Sequence, residues 1–361
     1  SGIDADLIKE KKDGVLVKVD LTGAEKSNIH DLNTTTVIQA IGIDYKENTD
    51  GNGYIVVKGN IEKEYFFYGA KVTVERKLPT MDFVIEANNR LWGCRYGAND
   101  KGETVNEIYA SKLGDPKNWY VFEGISTDSY AVSVGSDGAF TGAITHQGHP
   151  IFFKEHYMHK IYGDYPPYSV QSTECRGVQA GCSESLAILN ETLLYKSRSA
   201  ICAYDGSLPV EVSQALGDVS YSDAAAGVLG NKYYISMEEP KKDTEVSDAK
   251  HYSLFVYDTA KGMWHREDDI HALQFCTHDN NLYFIDADST TQPIKLIREQ
   301  KDVADTEADP VEWYAISGII GTDSPDKKYI SNISVRMLID VGATVRFSAE
   351  YDSCGEYEHL Y

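Results

Sequence analysis

Basic residues are scarce in this chain of 361 residues, with 34 Lys and Arg against 56 Asp and Glu and a net charge of −22. That balance excludes a general affinity for nucleic acid, whose phosphates need clustered Lys and Arg. Long apolar runs are missing as well. None approaches the roughly 18 residues that cross a bilayer as a helix, so no membrane partner is expected. The six cysteines, Cys94, Cys175, Cys182, Cys202, Cys276 and Cys354, are scattered without a C-x-x-C pair. They suit a reducing site of synthesis, and those inside strand patterns, Cys94, Cys202 and Cys276, read as small buried hydrophobes. Cys175 and Cys182 bracket a glycine-rich loop, where a bridge is the alternative reading. Neither H-E-x-x-H, G-x-S-x-G nor a phosphate-binding G-x-x-x-x-G-K-[ST] occurs, which removes the common zinc, serine-hydrolase and nucleotide signatures. Amphipathic helix periodicity is almost absent; Ser185 to Asn190 and Asp223 to Gly227 offer a turn at most.

What the chain has instead is tyrosine, 25 of them, and a repeated strand pattern. Tyr suits strands and half-wet surfaces, since its ring is apolar and its hydroxyl can hydrogen-bond. Between residues 81 and 300 the same order of apolar alternation, polar turn and aromatic-rich alternation comes five times. The second-strand cores are Arg90 to Cys94, Pro150 to Phe153, Leu193 to Tyr195, Lys232 to Ile235 and Asn281 to Phe284. Matching their aromatic or apolar centres pairs Trp92, Phe152, Leu194, Tyr234 and Tyr283. Such a unit of about 40–50 residues has the size of a four-stranded propeller blade.

The fold expected is therefore all-β, a β-propeller of about five four-stranded blades over 79–303. It is preceded by a small barrel-like all-β unit over 1–78, which reads equally as a first piece of the propeller with an insertion. It is followed by a partial β-sandwich over 304–361. In the first blade the strands are Met81 to Ile85, Arg90 to Cys94, Ile108 to Ser111 and, closing it, Trp119 to Phe122. Tyr204-Asp205 and Tyr257-Asp258 end third strands, where an Asp caps backbone amides two residues on. In the C-terminal segment Val311 to Ile316, Ile330 to Ile339 and Val345 to Tyr351 alternate as strands do. The Ser1-Gly2 start, without Met, reads as a cloning remnant ahead of an acidic, Lys-rich stretch with no leader-like apolar run.

Several segments are specific enough to name a family. Asn88-Asn89-Arg90-Leu91-Trp92-Gly93-Cys94, Tyr109 to Trp119, Ser126-Thr127-Asp128-Ser129-Tyr130-Ala131, Phe152-Phe153-Lys154-Glu155, Tyr204-Asp205-Gly206-Ser207 and Trp264 to Asp269 together resemble a family of uncharacterised bacteriophage and prophage proteins of gut bacteria. The resemblance runs over residues 70 to 361. It implies a tail-associated virion protein made in the bacterial cytoplasm, oligomeric in the particle, whose partners are other tail or head–tail proteins. It also implies that members extend beyond both ends of this chain.

The candidate chemistry is thin. His146, His149, His156 and His159 have a spacing that brings imidazoles together around a metal only if their strands fold toward each other, so surface or core histidines are the favoured reading. Acidic stretches at Asn48 to Gly53, Asp286-Ala287-Asp288 and Asp302 to Asp309 lack a full calcium-loop spacing and read as solvated turns. No catalytic residue, metal or cofactor is therefore expected. The residues favoured for a partner or ligand are the loop aromatics Trp119, Tyr120, Tyr162, Tyr165, Tyr168 and Trp264. The loops that differ between units, 98–107, 162–168 and 238–250, are where a partner would be read. The expected function is a non-enzymatic virion scaffold working through protein–protein contacts. The alternative is recognition of a host-surface glycan by exposed aromatics, and the third is a glycosidase with two carboxylates facing each other across a central funnel.

Overall fold

The computed structural model describes residues 78–98, 102–241, 250–287, 313–318, 332–339, 343–351 and 355–360 in full, and the backbone of the strands at 15–20, 25–27, 40–47, 53–59, 64–68, 71–76 and 294–297. The chain is all-β; two short 3-10 turns, Ser183–Ser185 and Gln214–Leu216, are its only helix among the described residues. It divides into two compact units, Ser1–Gln300 and Lys301–Tyr361.

Five antiparallel meanders follow one another. The first joins Phe83–Ala87, Arg90–Ala98, Thr104–Ala110 and Tyr130–Ser133 in chain order. The second joins Gly142–His146, His149–Phe153, Tyr157–Tyr162 and Ser169–Glu174, and the third Ala187–Leu189, Thr192–Lys196, Ile201–Tyr204 and Val210–Glu211. The fourth joins Ser222–Leu229, Lys232–Glu238, Tyr252–Asp258 and Met263–Asp268; the fifth has three described strands, Ala272–His278, Asn281–Asp286 and Ile294–Ile297. A tight turn links the first two strands of each. Asn88 and Asn89, Asn190 and Glu191, and Asp279 and Asn280 all take positive φ, as a two-residue hairpin turn with the strands' own twist demands.

Turn register corrects the sequence alignment of the second unit. Trp92, Leu194, Tyr234 and Tyr283 each stand third after their turn, and in meander two that place belongs to Ile151, not Phe152. Because side chains alternate, a slip of one residue exchanges the two faces. The packing agrees. Trp92 lies in one cluster with Phe140, Phe152 and Tyr168 of meander two, while Ile151 and Phe153 pack with meander three. Tyr234 packs with Leu282 of meander five.

Neighbouring meanders are joined by recurrent bonds near their turns. The Thr145 hydroxyl donates to the Glu86 carbonyl, and the Thr277 hydroxyl to that of Val228. Asn88 Nδ2 donates to the Gly148 carbonyl at 3.2 Å, and Asn190 Nδ2 to Asn231 Oδ1 at 3.2 Å. Close approach is needed too. A Cβ on Gly227 would stand 2.5 Å from Phe275 Cβ, so only glycine lets meander four meet meander five here. Full burial of side chains such as Trp92, Phe152, Tyr195 and Tyr233 contributes about 2–3 kcal/mol each in removed apolar surface.

Further expectations are corrected. Trp119 to Phe122 is not the fourth strand of meander one; Tyr130–Ser133 is, and 111–129 is a long loop. Among the described residues the N-terminal segment forms no closed barrel. Its strands Glu25–Ser27, Glu64–Tyr68, Gly53–Gly59 and Ala40–Glu47 make an open four-stranded sheet, and Val15–Asp20 pairs with Lys71–Arg76 in a separate ribbon. In the C-terminal unit, residues 313–318 and 332–339 are not strands, and among the described residues Ser348–Glu350 pairs with Tyr357–His359. Alternation marks a sequence that suits a strand, but a strand forms only where a neighbour takes its backbone bonds. Cys276, read as buried, is exposed. Cys175 and Cys182 are free thiols.

Candidate functional site

Four buried cations define the interior chemistry, and three of them are held by hydrogen bonds to protein oxygens. Arg90 follows the first hairpin turn and holds the 111–129 loop. Its Nη1 donates to the carbonyls of Ser111 at 2.7 Å and Asp128 at 2.5 Å, and its Nη2 to that of Ser126 at 2.8 Å. Asp128 closes the loop from within, accepting the amides of Gly124 at 2.6 Å and Ile125 at 3.2 Å. The segments that carry the family resemblance, Asn88 to Cys94 and Ser126 to Ala131, thus meet in one piece of backbone architecture.

Lys154 sits between meanders one and two. Its Nζ donates to Asn106 Oδ1 at 2.9 Å and to the Ser136 carbonyl at 2.8 Å, beneath the rings of Tyr96 and Phe140. Beside it His159 bridges two hydroxyls, Ser136 Oγ at Nε2 and Ser172 Oγ at Nδ1, both at 2.8 Å. Burial, with Lys154 adding to it, pushes the His159 pKa down to about 4. Lys196, between meanders three and four, donates to Gln179 Oε1 at 2.9 Å and to the Ser197 and Arg198 carbonyls. These ammonium groups are solvated by protein oxygens, which is what makes a buried charge tolerable.

Lys160 is different. It lies opposite Ile151 in the sheet and therefore faces the cleft between meanders two and three. It is 6% exposed, and among the described residues no carboxylate stands within ion-pair distance. Its Nζ lies 5.1 Å from the Tyr162 ring centre and 5.8 Å from that of Tyr204. Tyr204 in turn donates to the Gly206 carbonyl at 3.2 Å.

Two histidines line the same cleft. His146 and His149 are cross-strand partners at the hairpin turn, so they share a face despite their spacing in sequence. His146 Nε2 donates to the Glu191 carbonyl at 2.6 Å, and its ring lies 5.5 Å from that of Tyr204. A carbonyl only accepts, so Nδ1 is left as an acceptor, and it is buried without a partner. His149 Nδ1 donates to the Ile161 carbonyl at 3.1 Å, and its ring lies 4.6 Å from Tyr162. His156 is exposed in a turn and His159 is in the other cleft, so the four histidines do not converge. No group of three metal-ligating side chains occurs among the described residues.

The six loop aromatics separate sharply. Trp119 is buried, its indole donating to the Pro116 carbonyl at 2.9 Å, and Tyr120 is half-buried beside it. Tyr168 is buried edge-on against Trp92, with ring centres 4.8 Å apart. Trp264 is half-buried, stacked on Tyr257 and donating to the Val212 carbonyl at 2.7 Å. Tyr162 is half-buried in the Lys160 cleft, and Tyr165, at 61%, is the one fully exposed ring of the six. The third-strand aspartates behave as read. Asp205 accepts the Ser207 amide at 3.0 Å, which lowers its pKa, and Asp258 accepts that of Ala260 at 3.0 Å. The acidic positions 48–52, 288 and 302–309, and the loop at 242–249, lie outside the described residues.

Lys160 and Tyr204 escaped the sequence reading. The available signal was a Lys in a strand whose neighbours Met158, His159 and Ile161 are all apolar or aromatic, which puts a charge where burial is expected. No helix among the described residues is long and apolar enough to cross a membrane. No model of a known protein family matches the chain, and no curated protein matches it.

Proposed function

We propose that this chain is a non-enzymatic structural protein of a bacteriophage particle, associated with the tail or the head–tail junction, and that its meanders are blades of a β-propeller. The observation that carries the scaffold reading is the recurrent joint between successive meanders. First strands touch, turn residues bond across, and the buried cations Arg90, Lys154 and Lys196 are spent on protein oxygens. Cations bonded to protein oxygens in this way rigidify a fold. The blade reading rests on five meanders of one strand order, and the virion reading on the resemblance of residues 70 to 361 to phage proteins. Contacts with other tail proteins would use the loops that differ between meanders, with repeated copies arranged by the symmetry of the particle.

The test is protein mass spectrometry and immunogold labelling of purified phage particles from the genome that encodes this sequence. Stoichiometric presence at the tail or portal end supports the proposal. Absence from particles, with the protein present in the same lysate, overturns it. A second reading, recognition of a host-surface glycan, is favoured by one observation: the Tyr165 ring is exposed at 61%.

A further inference from the structure

We infer that the C-terminal unit is a self-association element, in which segments 313–318 and 332–339 pack against the same segments of a second copy of this chain. The inference goes beyond the scaffold reading and holds whether or not the protein belongs to a particle.

Burial divides the two units. Every buried residue among those described lies at or before Asp286, and the described residues of Lys301–Tyr361 include none. A unit of this size is marginal even with a core, because about 40% of its unfolded surface stays wet. Here the apolar side chains are present but outside. Trp313, Tyr314 and Ile316 are exposed, Tyr314 at 83%, and five of the eight residues of 332–339 are exposed large apolar side chains. Covering these two segments would remove on the order of 500 Å² of apolar surface. With the main chain between the side chains, that nears the about 800 Å² each partner gives to a stable interface.

The pattern of these residues says what covers them. As a strand, 332–339 sets Ile333, Val335, Met337 and Ile339 on one face and Ser334 and Arg336 on the other. A strand needs a neighbour for its backbone, and among the described residues neither segment is paired to one. A two-fold axis lays such a segment antiparallel to itself, apolar face beside apolar face. A second copy therefore supplies both the backbone partner and the matching surface. Charge selects the same occupant. The chain carries −22, so copies repel over most of their surface. The single charge in the two segments is Arg336. A basic partner would find no acid here to meet, whereas two copies approach without acid facing acid.

The experiment is sedimentation equilibrium of the purified full chain over a range of concentrations, paired with hydrogen exchange read by mass spectrometry. The wild type is expected to be a multiple of the 40.2 kDa monomer that dissociates on dilution, with slow amide exchange in 332–339. Val335→Asp combined with Met337→Asp should raise the dissociation constant at least about tenfold and speed that exchange. Leu208→Asp, at a site 58% exposed in the other unit, should leave both unchanged. Circular dichroism checks that each variant is folded, and exchange in the wild type carries the test if the double variant is not. A monomer at every concentration overturns the inference, whether its 332–339 amides exchange fast or are covered within one chain. Fast exchange of those amides in a wild-type oligomer overturns it too. So does an oligomer that survives the double variant, or one that Leu208→Asp dissociates equally.

Discussion

Lys154 and Lys160 flank one hairpin of meander two and face opposite clefts, and the two clefts are finished to different degrees. On the meander-one side, Lys154 is pinned between Asn106 and Ser136, and His159 is tied at both nitrogens. On the meander-three side, Lys160 rests on tyrosine rings and the buried His146 Nδ1 has no partner. Burial is nearly the same for both lysines. What separates them is the partner each lysine meets, protein oxygens for Lys154 and tyrosine rings for Lys160.

The most damaging change should be on the finished side. Arg90→Met removes the donor for the carbonyls of Ser111, Ser126 and Asp128 and frees the 111–129 loop. The expected loss is about 4 kcal/mol, since each buried carbonyl left unpaired costs roughly 1–3 kcal/mol and part of the loop regains water. Urea unfolding measures the loss, and faster proteolysis within 111–129 should accompany it. A loss below about 1 kcal/mol would mean the loop is held by something else.

The same cleft should be sensitive to acid. His159 has a folded pKa of about 4, against roughly 6.5 when unfolded. Between these values the unfolded chain binds the proton and the folded one does not, so stability is complete above about pH 6.5 and falls as pH drops toward 4. The contribution is at most about 3 kcal/mol. Unfolding curves from pH 7.5 to 4 should flatten in His159→Gln. An unchanged slope would show that other groups govern the acid limb.

Lys154→Met should cost about 2 kcal/mol, because it leaves the Ser136 carbonyl and Asn106 amide oxygen without a donor. It also removes a cation that holds the His159 pKa down, so the folded pKa should rise toward the unfolded value and the acid slope of the variant should flatten.

Much of this was legible in the chain before its structure. The five strand-turn units, the paired Asn turns and the capping aspartates are local, set by period two and by turn residues that tolerate positive φ. What failed was non-local. Trp119 to Phe122 reads as a strand, yet its indole is taken by Pro116 and the sheet edge is closed by Tyr130–Ser133. Tyr65-Phe66-Phe67-Tyr68, four consecutive aromatics, went unread as a strand because they show no alternation. The aromatic match of Phe152 to Trp92 chose residue type over turn register and reversed the faces of one sheet. The site failed for the same reason: aromatic content alone does not tell Tyr165, exposed, from Tyr168, wedged against Trp92. Lys160 meets Tyr204 only once two meanders pack.

The smallest expected effect is the most discriminating. Lys160→Met keeps the length and apolar stem of the side chain and removes a charge that has no carboxylate partner among the described residues. Two terms oppose each other. Loss of the ring contacts costs roughly 1 kcal/mol or less. Relief of the buried, uncompensated charge returns a comparable amount, as replacements of buried ions by apolar groups of similar volume commonly do. The net change should therefore lie within about 1 kcal/mol of zero, on the stabilising side if the charge term is the larger. Thermal unfolding of the Lys154→Met and Lys160→Met variants side by side reads the contrast directly. If Lys160→Met destabilises as much as Lys154→Met, the two clefts are latches of one kind, and the spare donors of Lys160 are already used within the fold.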